Sequence, residues 1–308
     1  MSRPALFDSM SGTPMPSSQR VLVTAMLVAS LAACRPPVPV DTPIAFLAPR
    51  EGTWQVWIKP QLEADPKPLT QLKHDVSRVS WYPNADALLV NLQNGHVFKV
   101  DAKTGRGEAI RMPMPNVLDA VIGPDGHSIA FSAALADSVD QNDIWVVDSA
   151  SGQLRKVAAM PGLQHEPAWS ADGKTLYFLS GVGGSETHDI WTIELAAGSP
   201  QQFTANALYH FDIAVRGDGA IAFSGNRGGD YDLWWQPKGG TPALLTEDAA
   251  LDARPSWSAD GERLVYESIR DGVSQLWLMD VPSRATRSLT ALPGGARMPV
   301  WAPTGGAK

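Results

Sequence analysis

Cysteine is almost missing from this sequence, which has only Cys34 among its 308 residues. One cysteine cannot form an internal disulfide, and it excludes metal sites built on paired cysteines. Basic charge is also scarce, because the formal net charge is −7 and the pI is about 5.3. A protein that binds nucleic acid usually offers the phosphates a basic face, so the composition argues against a nucleic-acid partner.

Long apolar runs are missing except near the N-terminus. There, the thirteen residues from Val21 to Ala33 are interrupted only by Thr24 and Ser30. Such a run is too short to span a bilayer but has the length of a signal-peptide core. The chain also lacks the G-x-S-x-G nucleophile motif and the glycine-rich loops that bind nucleotide phosphates, so no motif identifies it as an enzyme.

The apolar run ends in Leu31-Ala32-Ala33-Cys34. This segment resembles the lipobox of bacterial lipoproteins, in which the cysteine is lipidated and becomes the new N-terminus. The alternative is an ordinary signal peptide beside a coincidental cysteine. The resemblance implies a signal peptide over residues 1–33 and a lipidated Cys34 at the start of a proline-rich, extended tether over residues 34–41. An aspartate after the cysteine favours the inner membrane in that family, so Arg35 implies an outer-membrane anchor facing the periplasm.

One sequence unit recurs through the rest of the chain. Its clearest copy runs from Pro167 to Ser180 and continues at Asp189-Ile190-Trp191. The first strand of each unit carries an anchor residue, and the anchors are Trp81, Val121, Trp169, Val215, Trp257 and Trp301. Their spacings of 40, 48, 46, 42 and 44 residues match the period of a four-stranded propeller blade.

Each unit reads as four short strands. The first strand leads into a tight hairpin such as Asp172-Gly173, because Asp-Gly favours the positive φ angles of that turn. An alternating, β-rich second strand follows, and the third strand carries an aliphatic–aromatic pair such as Ile190-Trp191. The fourth strand often ends in a pair such as Leu289-Thr290. The regular recurrence of the aromatic residues predicts that they pack between adjacent blades.

The two ends of the repeat complement each other. The first unit starts with a second strand at Ile44–Leu47, and the last consists of a first strand at Met298–Pro303. We therefore expect the C-terminal strand to complete the N-terminal blade, which leaves no open sheet edge. The sequence predicts an all-β fold over residues 42–308, a six-bladed β-propeller closed by this pairing.

The repeat also carries a family resemblance. The pattern x-P-x-W-S-x-D-G-K, three hydrophobic residues, a loop and D-I-W-x-x-D resembles the WD-like repeat of the TolB family from roughly Thr42 to Pro303. The match is strong in four units and weak at Val121 and Val215, where the tryptophan is missing. The resemblance implies a monomeric, non-catalytic scaffold without a cofactor, which binds a periplasmic or outer-membrane protein, or a ligand. The same repeat occurs in the propellers of prolyl oligopeptidase-like enzymes and of periplasmic carbohydrate-related proteins.

The candidate site lies on one face of the predicted propeller. We call it the loop face, since it carries the first residues of the inner strands and the loops between second and third strands; the Asp-Gly hairpins lie on the opposite, hairpin face. The residues three positions before the anchors should converge at the channel mouth, and they are Arg78, Leu118, Glu166, Asp212, Arg254 and Met298. From these and their neighbours we predict a binding site made of Arg78, His165, Glu166, His210, Asp212, Asp252, Arg254 and Arg297.

Three other interpretations of these residues stay open. The charges of the mouth could simply pair with each other in a solvated channel. His165, Glu166, His210 and Asp212 are suitable metal ligands, but no tight motif fixes them, so we predict no metal. The acidic and histidine groups could instead serve a periplasmic enzyme, lactonase-like or glycan-acting.

Overall fold

The computed structural model of the protein describes residues 42–134, 141–182, 188–196, 198–204, 209–227, 230–248 and 250–304. These residues belong to one compact unit. The predicted signal peptide, Cys34 and the tether lie outside the described residues. No helix in the described ranges is long and apolar enough to cross a membrane.

Within these ranges the chain forms 24 β-strands in six antiparallel sheets of four strands. From the inner to the outer strand, the first three blades are β24 (Arg297–Trp301), β1 (Ile44–Arg50), β2 (Thr53–Lys59) and β3 (Lys67–Pro68); β4 (Val76–Trp81), β5 (Ala87–Leu92), β6 (Val97–Asp101) and β7 (Gly107–Ile110); and β8 (Leu118–Ile122), β9 (Ser128–Ala133), β10 (Asp143–Asp148) and β11 (Leu154–Ala158). The other three are β12 (Gln164–Trp169), β13 (Thr175–Ser180), β14 (Asp189–Glu194) and β15 (Gln201–Gln202); β16 (Tyr209–Val215), β17 (Ile221–Arg227), β18 (Asp230–Gln236) and β19 (Ala243–Leu244); and β20 (Leu251–Trp257), β21 (Arg263–Ile269), β22 (Ser274–Asp280) and β23 (Thr286–Ser288).

The predicted all-β, six-bladed propeller is confirmed. Around the central channel, each inner strand contacts the inner strands of both neighbouring blades. The C-terminal strand β24 pairs with β1, where Ile44 lies opposite Trp301. The backbone N–H of Ala302 also donates to the carbonyl of Pro43 at 2.8 Å. This pairing is consistent with the predicted closure, and it brings both ends of the described chain to the hairpin face.

The second strands are more completely buried than the predicted alternation requires. Every residue of β5 is buried, and so are the last five residues of β9. A blade packs against a neighbour on both of its faces, so both sides of its central strands need apolar side chains. The sequence of such a strand is therefore a continuous apolar run and not an alternating one.

The anchor tryptophans tie neighbouring blades together, as their recurrence predicted. The indole Nε1 of Trp169 donates to the carbonyl of Val121 at 3.2 Å. Trp257 donates in the same way to Ala214 at 3.2 Å. Each ring belongs to the buried apolar layer between two blades or packs against it, which gives it a large apolar contact as well as a partner for its N–H.

The same hydrogen bonds correct one anchor. Trp81 and Trp257 donate to the residue just before the anchor of the preceding blade, namely Val300 and Ala214. By that rule the acceptor Val121 precedes its anchor, so the third blade is anchored by Ile122 and the prediction of Val121 was wrong. The Asp-Gly hairpins lead to the same correction. In the other blades with such a hairpin, the turn aspartate lies three residues after the anchor, as Asp172 does after Trp169. Counting back three residues from Asp125 gives Ile122.

Candidate binding site at the channel mouth

The inner strands are distorted at one equivalent position. Their pairing with the second strands shifts register there, as in β12 between His165 and Ala168. The residues at this bulge have positive φ angles between 51° and 55° in five blades, and they are Asp119, Glu166, Asp212, Arg254 and Met298. A residue with a side chain is strained in this left-handed region, and bulges that re-aim a side chain are common at functional sites.

These five residues and Arg78 form the channel ring. The corrected anchor of the third blade replaces the predicted Leu118 by Asp119 at this level. Leu118 is instead exposed on the loop face. The channel narrows here to a cavity of about 80 Å³, whose lining includes Arg78, Asp212 and Arg254. Four of the predicted site residues, Arg78, Glu166, Asp212 and Arg254, are therefore brought together.

On one side of the channel ring, Arg78 and Asp119 form a long ion pair. The guanidinium of Arg78 lies 3.6 Å from the carboxylate of Asp119. Next to them, a carboxylate oxygen of Glu166 accepts the backbone N–H of Asp212 at 3.0 Å. The side-chain carboxyl groups of Glu166 and Asp212 thus sit in one narrow space, where each disfavours the ionised form of the other.

The other side of the channel ring is held by a buried acid. Arg254 donates to Glu267 at 2.9 Å and lies 3.7 Å from Asp212. Glu267 also accepts the backbone N–H of Met298 at 3.2 Å. The sequence analysis missed Glu267 and Asp119. Glu267 had a visible signal, because it is a charged residue directly after the apolar residues Leu264–Tyr266 of strand β21.

Burial favours the protonated forms of Glu166 and Asp212, which we call the acid pair. It raises the pKa of Glu166, with Asp119 adding to the effect and Arg78 opposing it. It also raises the pKa of Asp212 to about 7, helped by the neighbouring Glu166 and opposed by Arg254. A carboxyl group with a pKa near neutrality in a channel is typical of a functional site, although ion-pair networks also produce such shifts.

The acid pair makes stability depend on pH in a predictable direction. The pKa of Asp212 is raised from 3.8 to about 7 on folding, so its contribution is fully present below pH 3.8 and is lost as the pH rises through 7. Asp212→Asn resembles the protonated form, and we expect it to melt higher than the wild type above pH 7. The gain is at most about 4 kcal/mol, and it should vanish below pH 4. Thermal melts across this pH range measure it.

Asp218 on the hairpin face provides a control with the opposite sign. Its hydrogen bonds with Arg216 lower its pKa to about 2, so its contribution is present above its ordinary pKa and is lost as the pH falls through 2. Asp218→Asn should therefore destabilise the protein at neutral pH. An Asp212→Asn protein that is less stable than the wild type above pH 7 would contradict the raised pKa.

The predicted histidines lie behind the channel ring. His165 is half-buried, and its Nε2 lies 2.7 Å from Nδ1 of His188. His210 is completely buried, and its Nδ1 lies 2.8 Å from the carbonyl oxygen of His188. Burial lowers the pKa of His165 and of His210. At neutral pH both rings are therefore uncharged, and both contact His188. The sequence analysis missed His188.

The structure does not bring Asp252 and Arg297 into the channel ring. Asp252 is completely buried inside its blade, opposite Ser268, and burial raises its pKa. Arg297 lies at the loop face and stacks on the ring of Trp54, with its guanidinium carbon 3.7 Å from the ring centre. Asp252, five positions before its anchor, is buried in the blade, and Arg297, four positions before its anchor, turns to Trp54; the spacing alone could not show either direction.

The metal interpretation finds no support in the described part of the chain. No group of three or more His, Cys, Asp or Glu side chains is arranged there to hold a metal ion. Of the four residues considered, Glu166 and Asp212 face the channel, whereas His210 is turned toward the backbone of His188.

Large apolar side chains are exposed on the loop face. The described ranges contain four large hydrophobic residues with substantial exposure, and they are Leu118 (46%), Leu163 (38%), Leu251 (36%) and Val273 (41%). All four belong to the loop face: Leu118 and Leu251 are the first residues of inner strands, Leu163 directly precedes one, and Val273 lies in the loop between β21 and β22. Apolar residues gathered on one face are typical of a protein interaction site.

A family model and related sequences match the chain. The model described as TolB beta propeller domain matches residues 121–305, more than half of the chain. An uncharacterized protein of Agrobacterium fabrum is 29% identical over 175 residues, which cover 54% of this chain and 56% of that protein. The Tol-Pal system protein TolB of Nitratidesulfovibrio vulgaris is 24% identical over 174 residues, covering 52% of this chain and 38% of that protein. The chain thus spans about half of the first relative and less of the second.

Solved structures share the fold. TolB from Acinetobacter baumannii has a TM-score of 0.76 at 23% identity, with 87% of this chain and 68% of that chain covered. An oligogalacturonate lyase in complex with manganese has a TM-score of 0.58 at 12% identity, with 82% of this chain and 77% of that chain covered. At these identities the likeness concerns the fold alone, and one fold can serve both binding proteins and enzymes.

Proposed function

Because the chain belongs to the TolB β-propeller family, we propose that it is a non-catalytic scaffold that binds a protein partner at the mouth of its channel. We further propose that it is a monomer held in the outer membrane by a lipid on Cys34 and facing the periplasm. A relative of this family is named as a Tol-Pal system protein, which favours a protein over a small molecule as the ligand of the loop face.

The observation that carries the scaffold proposal is the composition of the loop face. It combines the mixed charges of the channel ring with four exposed apolar side chains. Interfaces commonly combine apolar contacts with charges that fix the partner's orientation. Repeated left-handed backbone at the ring adds support, since strain is kept where side chains must point in a special direction.

A propeller enzyme is the second candidate. The raised pKa of Asp212, near 7, and its neighbour Glu166 are what acid–base catalysis at neutral pH would use. A purified domain that hydrolyses a sugar or a lactone, and loses that activity in Glu166→Gln, would establish the enzyme. A protein partner that forms a discrete photo-crosslink with the loop face in living cells would establish the scaffold.

The membrane anchor is tested by Cys34→Ser, because serine cannot carry the thioether-linked lipid. We expect the substitution to abolish incorporation of labelled fatty acid and to release the protein from the membrane fraction into the periplasmic fraction. Arg35→Asp is the matched variant, which keeps the lipid and shifts the protein to the inner membrane. Lipid labelling that persists in Cys34→Ser would refute the anchor.

A further inference from the structure

A large cavity of the propeller opens on the hairpin face, away from the proposed partner surface. We call it the central funnel. It has a volume of about 510 Å³ and extends from Arg78 in the channel ring to residues beyond the anchors, such as Ala171 and Thr304. All six blades contribute their anchors to its wall, and these are Trp81, Ile122, Trp169, Val215, Trp257 and Trp301. Its volume falls in the range of small-molecule sites.

The wall of the central funnel is rich in apolar and aromatic side chains, and it also carries serine hydroxyls. Ser80 and Ser256 accept backbone N–H groups of Ile122 and Trp301 at 3.2 and 2.9 Å, so each hydroxyl still has its own proton to donate. A ligand that bears acceptors would satisfy these donors.

The charged groups of the wall have one sign. Among the described residues that line the central funnel, the charged ones are Arg78 and Arg216, and none is Asp or Glu. Arg216 lies toward the rim and is held 2.7 Å from Asp218. Arg78 lies at the inner end, and its nearest carboxylate partner, Asp119, is 3.6 Å away. An anion that enters from the hairpin face therefore meets the guanidinium of Arg78 at the end of an apolar passage.

We propose that the central funnel binds a small organic anion with an aromatic or branched apolar body and a carboxylate or sulfonate group directed at Arg78. The apolar body packs on the anchor residues, and the anion accepts hydrogen bonds from Arg78 and the nearby hydroxyls. The central funnel opens on the face opposite the proposed partner surface and shares Arg78 with the channel ring.

Gly217 offers a way to block the central funnel without disturbing the fold. It lines the funnel, and a Cβ added there would have no atom within 4 Å. Its φ angle is not positive, and the equivalent hairpin positions are occupied by Pro124, Ala171 and Ala259. Gly217→Trp should therefore fold normally and project an indole into the opening. Lys103→Trp is the control, because it adds an indole to an exposed turn of the same face.

Fluorescence titration of the tether-free propeller, residues 42–308, tests the proposal with two probes that share one ring system. Anilinonaphthalene sulfonate carries the anion, and phenylnaphthylamine lacks it. We expect saturable sulfonate binding with one site, weakened at least tenfold by Gly217→Trp and unchanged by Lys103→Trp. Arg78→Met should weaken the sulfonate about tenfold and the neutral probe less than about twofold.

Three results would overturn the proposal. One is the absence of saturable sulfonate binding to the wild type. Another is a Gly217→Trp protein that binds the sulfonate as well as the Lys103→Trp control. The third is an Arg78→Met protein, folded by circular dichroism, that loses both probes equally or neither. Loss of the protein partner in cells would leave all three readouts untouched, so the two proposals fail separately.

Discussion

Deleting residues 297–308 should abolish the cooperative unfolding transition of the propeller. The deletion removes β24, which pairs with β1. It also removes the carbonyl of Val300 that accepts the indole N–H of Trp81 and the N–H of Trp301 that donates to Ser256. The inner strand thus connects three blades, and its loss leaves β1 as an open edge with unpaired backbone groups.

Calorimetry and circular dichroism on the purified domain measure this effect. Removing residues 305–308 alone is the control, since it leaves β24 and its pairing with β1 in place, and we expect that protein to melt like the wild type. A chain lacking residues 297–308 that still melts in one sharp transition at the wild-type temperature would show that the pairing of β24 with β1 does not hold the ring of blades together.

The architecture was readable from the sequence because one unit recurs with its turn chemistry intact. Asp-Gly hairpins, aromatic third strands and the split first unit each follow from local physical rules. The predicted anchor of the third blade was wrong by one residue. Ile122 takes the place of the tryptophan there, and its neighbour Val121 is equally apolar. Spacing from Asp125 would have resolved it, because the hairpin geometry fixes the distance between anchor and turn.

The site was less predictable than the fold. The sequence brought out Arg78, Glu166, Asp212 and Arg254, because blade symmetry carries one position of each blade to the channel. It did not reveal the bulge, which sends side chains only two residues away, such as His210, into the blade instead. Nor could it give the stacking of Arg297 on Trp54, since contacts between distant segments depend on side-chain directions that a repeat pattern does not encode.

A photoreactive amino acid on the loop face should crosslink one discrete protein partner in living cells. Leu118, Leu251 and Val273 are the positions of choice, because they are exposed on this face and a new aromatic side chain there replaces an apolar one. Lys103 and Lys174 are the matched positions, exposed on the hairpin face. We expect the adduct yield from the loop face to exceed that from the hairpin face at least tenfold.

Charge reversal in the channel ring decides whether the mouth itself selects the partner. Glu166→Lys with Asp212→Lys changes the sign of the acid pair, and complementary charges across an interface are costly to reverse. If the reversed protein melts early, Glu166→Gln with Asp212→Asn tests the same charges at nearly constant shape. The crosslink yield from Leu251 in these folded variants is the most direct measurement. The scaffold account predicts that the adduct disappears, whereas an undiminished adduct, or adducts that form from Lys103 and Lys174 alone, would contradict it.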